Sequence, residues 1–274
     1  FWEVFNVGEL SASINKADGI FYTMMGGKAK TDTTQKAVDT TIKSSTTDTV
    51  GGDTTGLARL DDTDTSATAD PAADEAAELR KHLYGFIQFT QPYQEGTKVR
   101  FPAAIGYVAI RDTALVRSYL DHPAIRNSFP AQLVWMYGIP ERVNRKVADF
   151  VPLYAIKTFG RDKAKIEGDA VATAGYDYDP NGRPEVNMVM TSTGTKAWAK
   201  MTAENVDKPI AIVMDNIVYS APHVNGVIDG GTSQISGGFT VEEAEDLANM
   251  LKIGKLPAPA KIVQEQTVGP TLGA

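Results

Sequence analysis

The stretch PIAIVMDNIVYS, residues 209–220, contains two apolar runs separated by a polar pair. Residues 209–214 are strongly apolar, as in a buried β-strand, and residues 217–220 read as a second strand. Asp215 and Asn216 between them have the chemistry of a two-residue hairpin turn. The stretch therefore predicts a β-hairpin, from which the surrounding elements can be placed.

A strand and a helix are predicted upstream of this hairpin. Residues 185–190 alternate in polarity as a strand does, and a helix follows with Ser192 or Thr193 as its N-cap. Asn205 and Pro209 bound the end of that helix.

A second helix and two more strands are predicted downstream. Residues 233–236 read as a short strand, and TVEE (240–243) matches a capping box, in which Thr240 accepts from the Glu243 amide and Glu243 reaches back. Residues 261–267 are the last predicted strand. Apart from the short strand at 233–236, the order is strand, helix, strand, strand, helix, strand. That order is typical of a ferredoxin-like α+β fold, an antiparallel sheet with helices on one face.

Residues 26–73 differ sharply in composition, because Thr, Asp, Ser, Ala, Gly and Lys dominate there. Such a segment buries too little apolar surface to offset the entropy of ordering its backbone, so we expect it to be mobile.

Overall composition excludes several classes of function. The net charge of -7 and the pI near 5.1 argue against a nucleic-acid partner, which would need clustered Lys and Arg. The sequence has no cysteine, which excludes disulfides, thiolate nucleophiles and Cys-based metal sites. No apolar run approaches the roughly 18 to 20 residues that a membrane-spanning helix requires.

Motifs for catalysis or cofactor binding are also missing from the sequence. His82, His122 and His223 are not followed by a second His or a carboxylate three or four residues later, so we expect surface or capping roles. No phosphate loop, nucleophile elbow or dinucleotide fingerprint occurs. We therefore expect a protein that is not an enzyme, with no metal, no cofactor and no small-molecule substrate.

The segment DYDPNG (177–182) matches the first half of a calcium-binding EF-hand loop. Position twelve of such a loop should be a bidentate Glu but is Met188 here. We therefore predict an Asx-rich turn that leads into the strand 185–190.

Aromatic residues cluster before residue 150. Most are expected in the core, but a set exposed together would form the kind of apolar patch that binds extended polypeptide. The candidates for such a patch are Tyr84, Phe86, Phe89, Tyr93 and Trp135.

A series of short phrases resembles the SecD family, including the fused SecDF form. They are NGRPEV (181–186), AIVMD (211–215), VYSAP (218–222), GGTSQISG (230–237), FTVEEA (239–244), DLA (246–248), KLPAP (255–259) and VGPTLG (268–273). Each phrase alone is weak, but their order and spacing over about 95 residues together carry the resemblance. The motif positions to which the resemblance gives a structural role are Gly230, Gly231, Gly237, Phe239, Gly269 and Pro270.

The resemblance implies a two-part extracytoplasmic domain between the first two transmembrane helices of a longer protein. Residues 1–6 and 150–274 would form the ferredoxin-like base, and residues 7–149 an inserted α+β head that contains the mobile segment 26–73. The chain would then end just before the second transmembrane helix. Hinge candidates are the two crossings between these parts, Asn6, Val7 and Gly8 and then Asp149, Phe150, Val151 and Pro152.

The resemblance also implies a role in protein export, on the periplasmic side of the bacterial inner membrane. SecD with SecF helps to pull or release exported polypeptides by using the proton-motive force, and protonatable groups for that coupling belong to transmembrane helices that this chain lacks. The implied partners are unfolded exported polypeptides, SecF and the SecYEG channel. The alternative is a non-catalytic domain that senses a small molecule or ion, for which a ligand would raise the melting temperature.

Overall fold

The computed structural model describes residues 1–27, 77–140, 142–143, 146–161 and 163–254. The predictions for residues 28–73, for the strand 261–267 and for Gly269 and Pro270 lie outside the described residues. The helices are α1 (Val7–Met24), α2 (Thr113–Asp121), α3 (Pro123–Arg126), α4 (Ser192–Glu204) and α5 (Val241–Ile253). The strands are β1 (Trp2–Phe5), β2 (Ile87–Phe89), β3 (Tyr93–Glu95), β4 (Lys98–Arg100), β5 (Gly106–Ala109), β6 (Leu133–Gly138), β7 (Arg142–Val143), β8 (Lys146–Val147), β9 (Phe150–Lys157), β10 (Val171–Tyr178), β11 (Pro184–Met190), β12 (Ile210–Met214), β13 (Ile217–Ser220) and β14 (Thr232–Ser236).

Five strands close on themselves in the order β1-β12-β13-β6-β9, and β9 pairs again with β1. Glu3 of β1 is opposite Ile210 of β12 and also opposite Lys157 of β9, so β1 closes the ring. The start of β9 pairs with β5, which pairs in turn with β2 and extends the sheet beyond the ring. The result is a barrel-like sheet with a short two-stranded extension.

The inside of the ring is filled by one buried residue from each of its strands. These residues form the interior core, Val4, Met136, Ile156, Ala211 and Val218. Because side chains alternate across a strand, Ile210 and Ile212, the neighbours of Ala211, point to the opposite face and enter a different core.

A second core, the helical core, lies outside the ring beneath α1, α2 and α3. Helix α1 contributes Leu10, Ile14, Ala17 and Phe21, and the sheet contributes residues such as Leu133 and Leu153. Helix α1 begins at a capping box formed by Asn6 and Glu9. Its apolar face follows the three-to-four-residue spacing of an amphipathic helix.

A third core, the C-terminal core, lies between α4, α5, the outer face of β12 and a three-stranded sheet of order β10-β11-β14. Helix α5 contributes Ala244, Leu247, Ala248 and Leu251. Trp198 of α4 packs here and donates from its indole N–H to Ser233 Oγ at 2.8 Å.

Several local predictions are confirmed. Asp215 and Asn216 both have positive φ, 50° and 63°, and they connect β12 to β13 as a tight antiparallel hairpin. The capping box of Thr240 and Glu243 opens α5. Helix α4 begins at Ser192, with Thr191 rather than Ser192 or Thr193 as the N-cap.

The mixed α+β class is confirmed, but the single ferredoxin-like sheet is not. That fold would place β11 and β12 in one sheet, whereas in the described residues β11 pairs with β10 and β14, and β12 pairs with β1 and β13. The physical reason is that β12 is apolar on both faces, so its inner face fills the ring while its outer face covers the C-terminal core.

Strands from both sides of the predicted boundary between base and head share the large sheet. β6 lies in the predicted head, yet it pairs with β9 and β13 of the predicted base. The exposed hairpin of β3 and β4 is also tied to the predicted base, because Lys98 donates to Asp207 at 2.9 Å and Arg100 pairs with Asp207 at 3.3 Å. The predicted boundary between base and head therefore crosses a hydrogen-bonded sheet, and it stays a prediction.

Within the part of the chain that the structure describes, no helix has both the length and the apolar character needed to cross a bilayer.

Candidate functional site

An open groove of about 650 Å³ lies between the N-terminal half of α5 and the ends of the strands β6, β9 and β13. Its volume is within the range of pockets that bury a drug-sized ligand or a few residues of extended chain. The residues that line it are Ile139, Pro140, Pro152, Tyr154, Val218, Tyr219, Ser220, Ala221, Gly238, Phe239, Glu243, Asp246 and Leu247.

The groove forms where the ladder between β6 and β13 ends. The last bond of this ladder is donated by the Ile139 N–H to the Val218 carbonyl at 3.1 Å. Pro140 follows and has no N–H to continue the pairing. Gly138 makes room beside it, because a Cβ there would lie 2.7 Å from the Pro152 ring and 2.8 Å from the Tyr154 ring. Pro140 therefore ends the pairing of the two strands, and Gly138 leaves space for the rings of Pro152 and Tyr154 to form one side of the groove.

The groove is apolar at its floor and aromatic along its sides. Val218 and Leu247 at the floor are buried and anchor it to the interior and C-terminal cores. Tyr154, Tyr219 and Phe239 are partly buried and leave ring surface for an occupant. Such a surface binds apolar side chains of an extended chain without requiring a particular sequence.

Two carboxylates of α5 lie along one margin of the groove. Glu243 accepts from the Thr240 N–H at 2.9 Å, so it is held in the capping box. Asp246, one turn further along the helix, is exposed, and no described residue forms an ion pair with it. The margin is therefore acidic, and Asp246 is the carboxylate that an occupant of the groove can pair with.

The five aromatic residues predicted to bind polypeptide do not form one surface. The prediction that Trp135 is exposed is wrong, because its side chain is only 3% exposed and packs edge-on against Phe129 at 5.1 Å in the helical core. Phe86 contacts Phe21 and Tyr119 at the edge of the same core.

The remaining three aromatic candidates are more accessible. Tyr84 and Phe89 contact each other at 5.0 Å, and Tyr84 donates to Asn15 Oδ1 at 3.0 Å. Tyr93 lies on the exposed hairpin of β3 and β4, outside that pair. Their role in binding stays a prediction.

The hinge candidates lie in regular structure or directly beside it. Asn6 caps α1, and Val7 and Gly8 form its first turn. Phe150, Val151 and Pro152 lie in β9 opposite β5, and the Asp149 carbonyl accepts from Ile110 at 2.9 Å. A hinge at either place would have to break these hydrogen bonds.

The motif glycines and Phe239 lie close to the C-terminal core. Gly231 has a φ of +73° beside Thr195, and Gly230 has open space around it. A Cβ at Gly237 would lie 3.1 Å from the Phe239 ring, which packs against the C-terminal core and faces the groove.

The three histidines have structural contacts. His122 caps α3 as predicted, by accepting from the Ala124 N–H. His223 Nε2 is 3.0 Å from the Phe101 carbonyl. His82 Nδ1 is 2.7 Å from Asp18 Oδ2, a pair that the sequence did not indicate because 64 residues separate its members.

The loop at residues 177–182 is an Asx turn, as predicted. Asp179 Oδ1 accepts from the backbone N–H groups of Arg183 and Asn181, both at 2.8 Å, and these bonds hold the pKa of that carboxyl below its usual range. The described residues contain no cluster of three or more His, Asp or Glu side chains that could hold a metal ion.

The groove itself was missed by sequence reasoning, although a signal for it was present. Three of the phrases that carry the family resemblance, VYSAP (218–222), FTVEEA (239–244) and DLA (246–248), all contribute lining residues. Ile139, directly after β6, and Pro152 and Tyr154 of β9 are far away in the chain, so their contribution required the three-dimensional arrangement.

Comparison with known proteins gives one consistent family. A family model described as SecDF, P1 head subdomain, matches residues 154–258. We predicted these residues as base, whereas that description names the head subdomain. The matched segment includes most of the groove-lining residues.

Relatives extend the match over more of the chain. Protein translocase subunit SecD of Rhodothermus marinus is 35% identical over 230 residues, which are 81% of this chain and 35% of that protein. Protein translocase subunit SecD of Calditerrivibrio nitroreducens is 46% identical over 154 residues, 53% of this chain and 28% of that protein. The matched part of the chain thus spans 35% and 28% of the length of these two relatives.

Among solved structures, SecDF from Thermus thermophilus, described as a translocon-associated membrane protein, is 24% identical. The match covers 62% of this chain and 25% of that chain, with a TM-score of 0.35.

Proposed function

Because this chain belongs to the SecD family, we propose that it is the periplasmic part of a Sec translocase subunit and binds exported polypeptides while they are unfolded. It helps to move or release them on the far side of the bacterial inner membrane. The observation that carries this proposal is the open apolar groove, which lies largely in the segment that the family model matches.

The apolar and aromatic lining of the groove suits substrates that differ in sequence. Unfolded polypeptides share exposed apolar side chains and an extended backbone rather than a common motif. The aromatic walls formed by Tyr154, Tyr219 and Phe239 offer ring surface to any apolar side chain, and the groove opens to solvent. Weak, sequence-tolerant binding is what repeated capture and release of a moving chain requires.

The energy that moves the exported polypeptide would come through the rest of the full-length protein. We propose that the proton-motive force acts through transmembrane helices outside this chain, and that SecF and the SecYEG channel are the neighbours of the complete subunit. The relatives from Rhodothermus marinus and Calditerrivibrio nitroreducens are named protein translocase subunits, which supports this placement. This chain then contributes binding rather than catalysis, without a cofactor or a small-molecule substrate.

Site-specific photo-crosslinking from the groove tests the proposal. In the full-length protein, a photoreactive residue at Tyr219 should form a crosslink to an export substrate stalled during translocation. Tyr178 is the matched control, because it is exposed on β10 and does not line the groove. Absence of a crosslink at Tyr219, or equal labelling at both positions, would contradict the proposal.

A further inference from the structure

We propose that the groove prefers polypeptide segments in which a Lys or Arg lies next to apolar residues. This inference rests on the proposed function and narrows its substrate class. It starts from Asp246, the exposed carboxylate at the acidic margin of a groove whose floor is apolar and whose sides are aromatic.

The two carboxylates at this margin are three residues apart on one face of α5. Like charges at that spacing repel each other, and neither carboxylate forms an ion pair with a described residue. Glu243 is compensated by its bond to the Thr240 N–H and by the positive N-terminal end of the helix. Asp246 lies beyond the first turn and has no such bond, so a cation from the occupant is the partner that would complement it.

Lys and Arg side chains fit this site in a second way. Their long aliphatic stems can lie along Phe239 and Leu247 while the charged end reaches Asp246. The aromatic rings of the groove also attract cations through their faces. A polypeptide with an acidic residue at the same place would meet like charge and lose affinity.

Peptide binding measured by fluorescence polarisation tests the inference. Three unstructured peptides would share the same apolar residues and differ at one position, which is Lys, Gln or Glu. We expect the Lys peptide to bind about threefold more tightly than the Gln peptide at low salt, the size of an exposed ion pair, and the Glu peptide to bind least tightly. The preference should fall as salt is added, because the pair is exposed to solvent.

Two substitutions at Asp246 test whether this residue causes the preference for Lys. Asp246→Asn should remove the preference for Lys, and Asp246→Lys should reverse it in favour of Glu. Glu245→Gln is the matched control, since it removes the same charge from the adjacent exposed position of α5, outside the groove lining, and should leave the preference intact. Circular dichroism would verify that each variant is folded.

The outcomes separate the two proposals. Equal affinity for all three peptides, or an equal loss in Asp246→Asn and Glu245→Gln, would overturn the charge preference and leave polypeptide binding in place. If none of the peptides binds, the proposed function fails and the charge preference fails with it.

Discussion

Gly231 shows how one residue of the matched segment is fixed by its backbone. Its φ of +73° lies in the left-handed region, and a Cβ there would be 2.3 Å from Thr195 Oγ1. Gly231→Ala should therefore lower the free energy of unfolding by about 1 to 3 kcal/mol. Gly230→Ala is the matched control, since its Cβ would meet nothing within 4 Å, and should change stability by less than about 0.5 kcal/mol. Urea denaturation of both variants measures this; equal losses would show that the left-handed turn is not required.

Tyr137 makes the stability of the fold depend on pH in the alkaline range. Its O–H donates to the Thr113 carbonyl at 2.8 Å, and burial raises its pKa from 10.0 to about 12, a rise that nearby Arg117 opposes and Asp121 reinforces. Because the folded pKa is the higher one, the stability due to this shift is fully present below pH 10 and is lost as pH rises toward about 12.

A comparison of the wild type with Tyr137→Phe isolates this contribution. The difference in free energy of unfolding between the two proteins should be constant below about pH 10 and should shrink from there toward about pH 12. Denaturant titrations at several pH values measure it. A difference that stays constant across this range would contradict the raised pKa.

Residue type alone did not separate buried from exposed aromatic side chains. Trp135 and Tyr84 were both plausible surface residues in the sequence, yet Trp135 is buried against Phe129 while Tyr84 is 44% exposed. Aromatic side chains have an apolar body that suits either place, so the outcome depends on neighbours that are distant in the chain.

At the scale of elements, the helix α5 depends on its cap. Thr240 Oγ1 accepts from the Glu243 N–H at 3.2 Å, and Glu243 returns the bond to Thr240. Thr240→Ala should lower the free energy of unfolding by about 1 kcal/mol. Thr240→Ser keeps the accepting oxygen and should retain most of the stability. Chemical denaturation of the two variants distinguishes a cap from a simple loss of volume, for which Ser and Ala would be equivalent.

Turns and caps that depend on side chains a few residues apart could be predicted from the sequence. The strands that pair with one another could not. The turn at Asp215 and Asn216 and the cap at Thr240 depend on adjacent side chains. The pairing of β1 with β12 joins residues about 200 positions apart, and no local pattern specifies it. Ile210, Ala211 and Ile212 are all apolar, so alternation could not show that β12 faces two different cores.

At the scale of the whole molecule, the closed ring couples the three cores. β1 alone supplies Val4 to the interior core and Phe5 to the helical core. β12 joins the interior core to the C-terminal core in the same way, through Ala211 and Ile210. Loss of the ring would expose all three cores together, so the described residues should unfold in one cooperative transition.

Three tryptophans report on this coupling, because one lies at each core. Trp2 packs against the interior core, Trp135 lies in the helical core and Trp198 in the C-terminal core. In variants that keep one tryptophan and replace the other two by Phe, the urea transition seen by fluorescence should coincide with the loss of secondary structure seen by circular dichroism. The comparison is made within each variant, since the replacements themselves change stability. Two separated transitions, with Trp135 and Trp198 unfolding at different urea concentrations, would instead indicate two independently folding parts.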